Sequence, residues 1–325
     1  MIDIGSLFTK QKMMRTVLVA LIPVSLMAVY LFGWRPVLVG LVAIVVASAC
    51  EYLVMRTIQK DKTKVTEAAI VSAVLFTLTL PPQTPIWIAA VGIAFGIVFG
   101  KVAFGGFAKN IFNPALVGRC FVYIAFPSYL TAQWAVPFSG FPGGFASWLP
   151  HQAADMLTGA TPMLALEHSG VVAPLGSLLL GTTAGSLGET SALLILLGAA
   201  WLLYKKVASW QIMLSTVGSG LILSAALYYT GVTQAPPLFT VLSGGFLFGA
   251  VFMATDPVSA PKMKSAQWVF GALIGLITVI IRSFSLFTEG MMFAILIGNA
   301  LTPLLELQLK KYTGRAKLKG KEAAA

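Results

Sequence analysis

Residues 155 to 162 have the most specific chemistry in this sequence. Asp155 is separated by two residues from Thr158 and Gly159, an alanine follows, and then come Thr161 and Pro162. Glycine and proline are typical of turns, and a threonine hydroxyl can cap the helix that follows. Residue types alone therefore favour a turn with a capping threonine over a site of covalent modification.

A second group of residues combines amides with aromatic rings. Asn110 and Asn113 supply donors and acceptors that suit the pyrimidine edge of a flavin isoalloxazine ring. Phe104, Phe107 and Phe112 supply apolar ring contact. A structural role is the alternative, because Asn-Pro breaks are common in membrane helices, where asparagine satisfies backbone groups that proline frees. The residues leave both interpretations open.

Ionisable residues inside apolar segments form a third group. Such groups are costly at membrane depth and usually functional. Glu51 and Asp256 are candidates for an ion path, whereas Asp256 could instead only cap a turn. Glu67 and Glu306, near helix ends, belong either to that path or to a set of interfacial carboxylates beside lysines. Arg119 could pair with Glu51 or Asp256, or could hold a helix break together.

The overall composition excludes a water-soluble enzyme. The 325 residues are 58% hydrophobic and only 10% charged, with a mean hydropathy of +0.88, whereas roughly a quarter of the residues in a soluble domain are charged. A membrane-spanning helix needs about 20 apolar residues. The length therefore allows about ten spans with short loops.

Charge and cysteine usage narrow the class further. The net charge of +11 comes from short basic runs between apolar segments. Basic residues in these places indicate how the chain is oriented in a membrane, and no nucleic-acid partner is predicted. Cys50 and Cys120 lie in apolar stretches and form no CxxC pair. The sequence therefore predicts no iron–sulfur cluster and no other metal site within this chain.

Ten apolar segments predict ten membrane helices in one all-α polytopic protein: 14–32, 36–55, 65–80, 85–104, 111–126, 171–204, 210–229, 237–254, 268–281 and 291–309. This threading places all basic residues except Arg35, Arg119 and Arg282 on one side. The positive-inside rule then predicts that both termini are cytoplasmic. The long loop 127–170 is predicted outside, and a loop of this length is uncommon unless it is functional.

Ten spans divide into five plus five, so an internal repeat must be inverted. Each half contains a Pro-Pro pair, a Gly-rich helix and then an Asx-Pro pair: 81–82 with 113–114, and 236–237 with 256–257. Inverted repeats place sites at their interface, beside discontinuous helices. We predict a first five-helix repeat (1–126), an outer loop (127–170), a second five-helix repeat (171–309) and a basic cytoplasmic tail (310–325).

Four blocks in this order resemble the D component of the Rnf ion-translocating ferredoxin:NAD oxidoreductase complex. They also resemble its homologue, the B component of the sodium-translocating NADH:quinone oxidoreductase. The blocks are residues 100–119, the motif 155–161, Ala-Thr-Asp-Pro-Val-Ser at 254–259, and Glu-Gly-Met-Met-Phe-Ala-Ile-Leu at 289–296. About 13 residues precede the first span, fewer than is normal for the B component, which favours the Rnf assignment.

The resemblance implies two flavins. One is FMN, joined through a phosphoester to Thr161 by a flavin transferase that reads Asp155, Thr158 and Gly159. The other is non-covalent, usually riboflavin, and is held within the helix bundle. The remaining residues assigned to cofactor binding are Asn110, Asn113 and Arg119.

The implied function is that of a membrane flavoprotein that passes electrons between the two flavins and couples this to Na+ or H+ translocation. The chain has no nucleotide-binding fingerprint and no cluster, so the expected partners are iron–sulfur membrane proteins, a second covalent-FMN protein and an NAD-site protein of the same complex. It would be active only within this complex, in a prokaryotic inner membrane. The B component of the quinone reductase and a solute channel or transporter of similar fold are the alternatives, and the Thr161 motif argues against transport.

Overall fold

The computed structural model describes residues 8–59, 64–131, 134–149, 161–285, 287 and 289–322. This part of the chain is predominantly helical. Its one pair of strands is parallel and very short, with β1 (Phe8–Thr9) aligned on β2 (Val65–Thr66). This pair joins the segment before the first helix to the segment before the third.

Among the described residues of the first half, the α-helices are five apolar helices and one short surface turn. They are α1 (Lys12–Phe32), α2 (Arg35–Gln59), α3 (Glu67–Leu78), α4 (Ile86–Gly100), α5 (Pro114–Ala125) and α6 (Pro127–Thr131). α1 ends at Gly33, whose φ of +81° favours glycine. A Cβ at this position would also lie 2.7 Å from Ser147 O, so the loop folds closely over this end of α1.

The second half begins with short helices and ends with long ones. They are α7 (Pro162–Ser169), α8 (Leu175–Leu180), α9 (Ala192–Tyr204), α10 (Trp210–Tyr229), α11 (Pro237–Leu242), α12 (Phe246–Phe248), α13 (Lys264–Phe284) and α14 (Gly290–Glu322). α12 continues as a π-helical turn over Gly249–Met253. The predicted span 171–204 is thus divided into α8, a buried loop and α9.

The described residues contain six helices long and apolar enough to cross a membrane, and three shorter apolar ones, α3, α5 and α9. The 12 residues of α3 extend about 18 Å at 1.5 Å per residue, well short of a bilayer core of about 30 Å. The chain is therefore an all-α multi-pass membrane protein, as the sequence predicts, with several discontinuous spans.

Backbone carbonyls at the C-terminal end of α3 are hydrogen-bonded by the loop between α8 and α9. Gly188 N donates to Leu78 O at 2.7 Å, and Leu187 N donates to Leu80 O at 3.1 Å. This agrees with the rule that irregular backbone at membrane depth must be enclosed by protein. The broken helices of the two halves therefore hold each other in place.

Helix packing follows a similar order in the two halves. α2 packs on α3 and α4, and α4 packs on α5. α10 packs on α11 and α13, and α13 packs on α14, while α1 and α9 join the halves. This order is compatible with two five-helix repeats, and the repeats themselves remain a prediction. Their inverted relation and the predicted boundaries remain predictions.

Candidate functional site

Thr161 is the N-cap of helix α7. Its Oγ1 accepts a hydrogen bond from Leu164 N at 3.4 Å, and Pro162 occupies the first helical position, where a backbone N–H has no intrahelical partner. The bond is long and uses a lone pair of the hydroxyl, not its proton. The capping role is therefore observed, and it leaves the hydroxyl proton free of this bond.

Helix α7 is fixed against α8 and α11 by contacts below Thr161. Leu166 packs with Leu178 and Phe239 in a small apolar cluster. Ser243 Oγ donates to Met163 Sδ at 3.1 Å. These contacts place the start of α7 beside the break between α11 and α12. The other predicted motif residues, Asp155, Thr158 and Gly159, lie outside the described residues.

A pocket connects Thr161 with charged side chains of the bundle. Thr161, Trp134, Glu189, Arg282 and Glu289 are among its lining residues, and we call it the Thr161 pocket. A second cavity is lined by Arg119 together with the same three charged residues. The two spaces therefore adjoin along these charges, and the Thr161 pocket leads towards the interior.

Four charged residues, Arg119, Glu189, Arg282 and Glu289, form what we call the arginine cluster. Arg119 Nη1 lies 3.6 Å from Glu189 Oε1, and Arg119 Nη2 contacts the carboxylate of Glu289. The side chains of Arg119 and Glu189 are only 3% and 6% exposed. Within the described ranges, Arg119 Nη1 and Arg282 Nε have no hydrogen-bond partner. The cluster thus buries two donor groups that are available to a ligand.

Arg282 is anchored by backbone carbonyls as well. Its Nη1 donates to Thr240 O at 2.7 Å and to Ser243 O at 3.2 Å, so it satisfies the end of α11. Close to it, a Cβ at Gly245 would lie 2.5 Å from Glu189 Oε1. An alanine at this position would therefore displace the Glu189 carboxylate from its place in the arginine cluster.

The partners of Arg119 differ from those proposed from the sequence. It pairs with Glu189 and Glu289, and not with Glu51 or Asp256. The reason is the position of α5, which begins at Pro114 and places Arg119 beside the start of α14. Glu51 lies in the last third of α2, near the opposite end of the bundle.

Glu51 belongs to a second buried group, with Thr66 and Lys101, which we call the lysine cluster. Lys101 Nζ lies 2.8 Å from Glu51 Oε1 and donates to Thr66 Oγ1 at 2.6 Å. Thr66 N donates to Glu51 Oε2 at 3.0 Å. The side chains of Lys101 and Glu51 are 1% and 2% exposed. Both charges are thus paired with each other and hydrogen-bonded to Thr66.

Asp256 has the capping arrangement that the sequence left open. Its Oδ2 accepts from Ser259 Oγ at 2.8 Å, and its two oxygens accept at 3.4 Å from the backbone N–H groups of Val258 and Ser259. Burial raises the pKa of the Asp256 carboxyl, and the bonds from Ser259 and Val258 act in the opposite direction. Asp256 also lines a cavity together with Lys101, so the cap lies next to the lysine cluster.

The same cavity brings together the residues predicted to contact the second flavin. Asn110, Asn113 and Phe107 line it with Lys101 and Asp256, and we call it the amide cavity. Asn110 Nδ2 also donates to the neighbouring Phe112 O at 3.0 Å, and the Phe104 and Phe112 rings form an edge contact at 6.1 Å. The structure therefore places the predicted amides and one predicted ring around a single space.

Asn113 also holds the centre of the bundle together. Its Oδ1 caps α5 by accepting from Ala115 N at 3.0 Å. Its Nδ2 donates to Met253 O at 3.4 Å, and its N donates to Asn299 Oδ1 at 3.2 Å. Asn299 Nδ2 donates in turn to Ser259 O at 3.3 Å. The structure thus shows Asn113 satisfying backbone groups at a helix break, which was the alternative to flavin binding. Asn113 also lines the amide cavity, where the predicted flavin would bind.

Glu67 and Glu306 make local bonds near helix ends. Glu67 pairs with Arg15 of α1 at 2.6 Å. Glu306 Oε1 accepts from Lys262 N at 2.6 Å and from Met263 N at 3.4 Å, just before α13. A role of Glu51, Glu67, Asp256 or Glu306 in an ion path remains a prediction.

Three buried or half-buried charges that sequence reasoning left unassigned line the Thr161 pocket: Glu189, Arg282 and Glu289. A usable signal existed for Glu189, which lies inside the predicted span 171–204 and therefore met the criterion that selected Glu51. Glu289 begins one of the four family blocks, and Arg282 directly follows the predicted span 268–281, but no sequence signal connects either residue with Thr161.

Comparison with known proteins agrees with the four sequence blocks. Residues 5–314 match the model of the NQR2, RnfD, RnfE family. The D component of the ion-translocating oxidoreductase complex of Stutzerimonas stutzeri is 37% identical over 318 residues, which are 91% of this chain and 89% of that protein. The B component of the Na(+)-translocating NADH-quinone reductase is 41% identical over 258 residues in Azotobacter vinelandii and 42% over 253 in Pseudoalteromonas atlantica.

The two kinds of relative differ in coverage. The aligned region is 75% of this chain but only 60% of the length of each quinone-reductase relative. It is 89% of the length of the Stutzerimonas stutzeri relative. Since the family model also spans nearly all residues, the chain belongs to the NQR2, RnfD, RnfE family.

Proposed function

We propose that this chain is the flavin-bearing membrane component of an Rnf-type ion-translocating oxidoreductase complex. Thr161 carries FMN through a phosphoester, and a second flavin, riboflavin in the simplest case, occupies the amide cavity. Electrons pass between the two flavins, and this transfer is coupled to the translocation of Na+ or H+. The observation that carries the proposal is the Thr161 hydroxyl at a pocket that leads to buried, unpaired guanidinium donors.

The Thr161 pocket fits a flavin in the chemistry of its lining. Trp134 supplies an aromatic wall, and Arg282 Nε has no hydrogen-bond partner in the described part of the chain. Flavin ring oxygens and nitrogens accept hydrogen bonds, so such a donor matches them. A flavin held here supplies electron transfer, and the protein supplies its position and electrostatics.

The amide cavity fits the second flavin for a similar reason. Asn110 and Asn113 supply amide groups at its lining, and Phe107 supplies an apolar ring. Lys101 lines the same cavity and pairs with Glu51 at 2.8 Å. Carboxylates of Glu51 and Asp256 therefore lie close to the proposed flavin, where a change of its charge would alter cation binding and link the two events.

Relatives support the complex type. The D component of the Stutzerimonas stutzeri complex aligns over 89% of its length, and we infer the same kind of complex for this chain. Its expected partners are iron–sulfur membrane proteins, a second covalent-FMN protein, an NAD-site protein and, during maturation, a flavin transferase. The B component of a Na(+)-translocating NADH-quinone reductase is the second candidate, favoured by 41% identity.

The decisive experiment is in-gel flavin fluorescence after expression with the transferase. The wild-type chain is expected to give a fluorescent band that survives denaturation. Thr161→Ala is expected to lose the band completely. Thr158→Ala, the matched control, is expected to keep a band, which is weaker where the transferase reads Thr158. Fluorescence in Thr161→Ala would contradict the attachment site, and its absence in the wild type would favour the transporter alternative.

The complex type has its own test. Purification of the chain with its natural partners is expected to give ferredoxin:NAD oxidoreductase activity driven by or driving ion movement. NADH:quinone activity in that preparation would favour the second candidate instead.

A further inference from the structure

We propose that Arg282 raises the reduction potential of the flavin on Thr161, as the donor that faces the negative charge which reduction places on the ring. Glu289, through its contact with Arg119, acts in the opposite direction. The inference rests on the proposed function, since it requires that flavin to be present. It makes Arg282 a positioning and potential-determining residue.

Arg282 has more donor capacity than its structural contacts use. Its Nη1 binds Thr240 O and Ser243 O, which accounts for one nitrogen of the guanidinium. Its Nε is buried and has no partner among the residues that the structure describes. Since an unpaired buried donor is unfavourable, a ligand that pairs with it explains its presence.

Arg35 supplies a built-in comparison within the same chain. It binds Pro82 O at 2.6 Å and Thr84 O at 2.9 Å, and thus holds the backbone after α3 much as Arg282 holds the backbone after α11. Arg35 is not among the lining residues of the Thr161 pocket. Binding the backbone at a helix break is therefore a role that both arginines have. Of the two, only Arg282 also lines the Thr161 pocket.

The charge balance of the arginine cluster points the same way. Two arginines and two glutamates sum to zero, and Arg119 is already engaged with both Glu189 and Glu289. Arg282 balances the net charge of −1 that Arg119, Glu189 and Glu289 have together, and its unpaired Nε is the donor that can face an added negative charge in the Thr161 pocket. In a site of low dielectric such compensation is strong, and charge near a flavin ring tunes its potential.

The test measures the potential of the covalent flavin and not activity. Full-length chain bearing the covalent flavin is purified in detergent and titrated with dithionite, with Thr161→Ala used to subtract the second flavin. Arg282→Gln is expected to favour the oxidised state about tenfold, which is about 30 mV lower for a two-electron couple. Glu289→Gln is expected to shift the potential upward by a comparable amount, and Arg35→Gln is expected to leave it unchanged.

Opposite shifts in the two variants would exclude a merely structural effect. A loosened fold would shift the potential in the same direction whichever charge was removed. Shifts of the same sign in Arg282→Gln and Glu289→Gln, or none, would overturn the inference. If Arg282→Gln does not fold, Glu289→Gln decides alone. A higher reduction potential in that variant would support the inference, and an unchanged or lower potential would contradict it. Failure of the proposed function would look different, because the wild-type chain would then carry no covalent fluorescence at all.

Discussion

The lysine cluster and the arginine cluster are both buried in a membrane protein, yet they are satisfied to different degrees. In the lysine cluster, Lys101 and Glu51 pair at 2.8 Å and both bond to Thr66. In the arginine cluster, Arg119 Nη1 lies 3.6 Å from Glu189, and it and Arg282 Nε lack hydrogen-bond partners among the described residues. The closed ion pair leaves no unpaired donor for a ligand, whereas the incompletely satisfied cluster presents one to the Thr161 pocket.

The largest expected effect comes from breaking the closed pair. Lys101→Met would leave the buried carboxylate of Glu51 uncompensated, which typically costs about 3–5 kcal/mol. We expect a strong loss of thermal stability in detergent. Fluorescence-detected size-exclusion chromatography of heated samples would measure it. The double variant Glu51→Met with Lys101→Met should recover most of this loss, because no unpaired charge remains. A mild effect of Lys101→Met would show that water reaches this site and that the lysine cluster is not closed.

The next prediction concerns the close approach of Glu189. A Cβ in Gly245→Ala would lie 2.5 Å from Glu189 Oε1, so the carboxylate must move in a packed site. We expect a destabilisation of about 1–3 kcal/mol in the same thermal assay. Gly218→Ala is the control, since nothing lies within 4 Å of its Cβ and alanine favours the helix by about 1 kcal/mol. Equal behaviour of the two variants would remove Glu189 from the arginine cluster.

A third prediction separates the two clusters by their response to the flavin. If a flavin on Thr161 pairs with the arginine cluster, then Arg282→Gln should cost less stability in a Thr161→Ala background than in the wild type. The difference is expected to be about 1 kcal/mol, within the usual range for residues that share a contact. Lys101→Met should cost the same in both backgrounds. Full additivity for Arg282→Gln would place the flavin ring elsewhere.

Asp256 offers a finer distinction between a cap and a cation ligand. Asp256→Asn keeps an acceptor for Val258 and Ser259, so we expect stability within about 0.5 kcal/mol of the wild type, because asparagine and aspartate cap equally well. On the ion-path hypothesis the same variant lowers cation-dependent turnover of the assembled complex while covalent fluorescence persists. Unchanged turnover and pumping would leave Asp256 with its observed capping role alone.

The smallest perturbation tests which side of the membrane the Thr161 end faces. Ala146 is exposed in the loop that packs on the end of α1. We expect Ala146→Cys, in a background without Cys50 and Cys120, to react with a membrane-impermeant maleimide on intact cells. Labelling only after permeabilisation would show that the topology is the inverse of the predicted one. The arginine cluster would then lie nearer the cytoplasm and the lysine cluster nearer the outside.

Much of the fold could be predicted from the sequence, because hydropathy acts locally. Most apolar segments match helices, and the breaks at Pro81 and Pro114 fall where α3 has ended and α5 begins. The predicted span 237–254 is instead divided between α11 and α12. The prediction of one broken segment over 171–204 was less complete. It contained the glycines of the loop between α8 and α9, but it could not show that Leu78 O and Leu80 O, far away along the chain, bind that loop.

The sequence by itself determined the class of the protein, its apolar segments and the threonine motif, because composition, periodicity and a linear motif are properties of neighbouring residues. Only the tertiary structure decided which buried charges meet. Arg119 could not be assigned to Glu189 and Glu289 from sequence, since these partners are separated from it by 70 and 170 positions along the chain. Their meeting depends on how α5 packs against α14 and on where the loop before α9 enters the bundle, and only side-chain packing between distant helices specifies these positions.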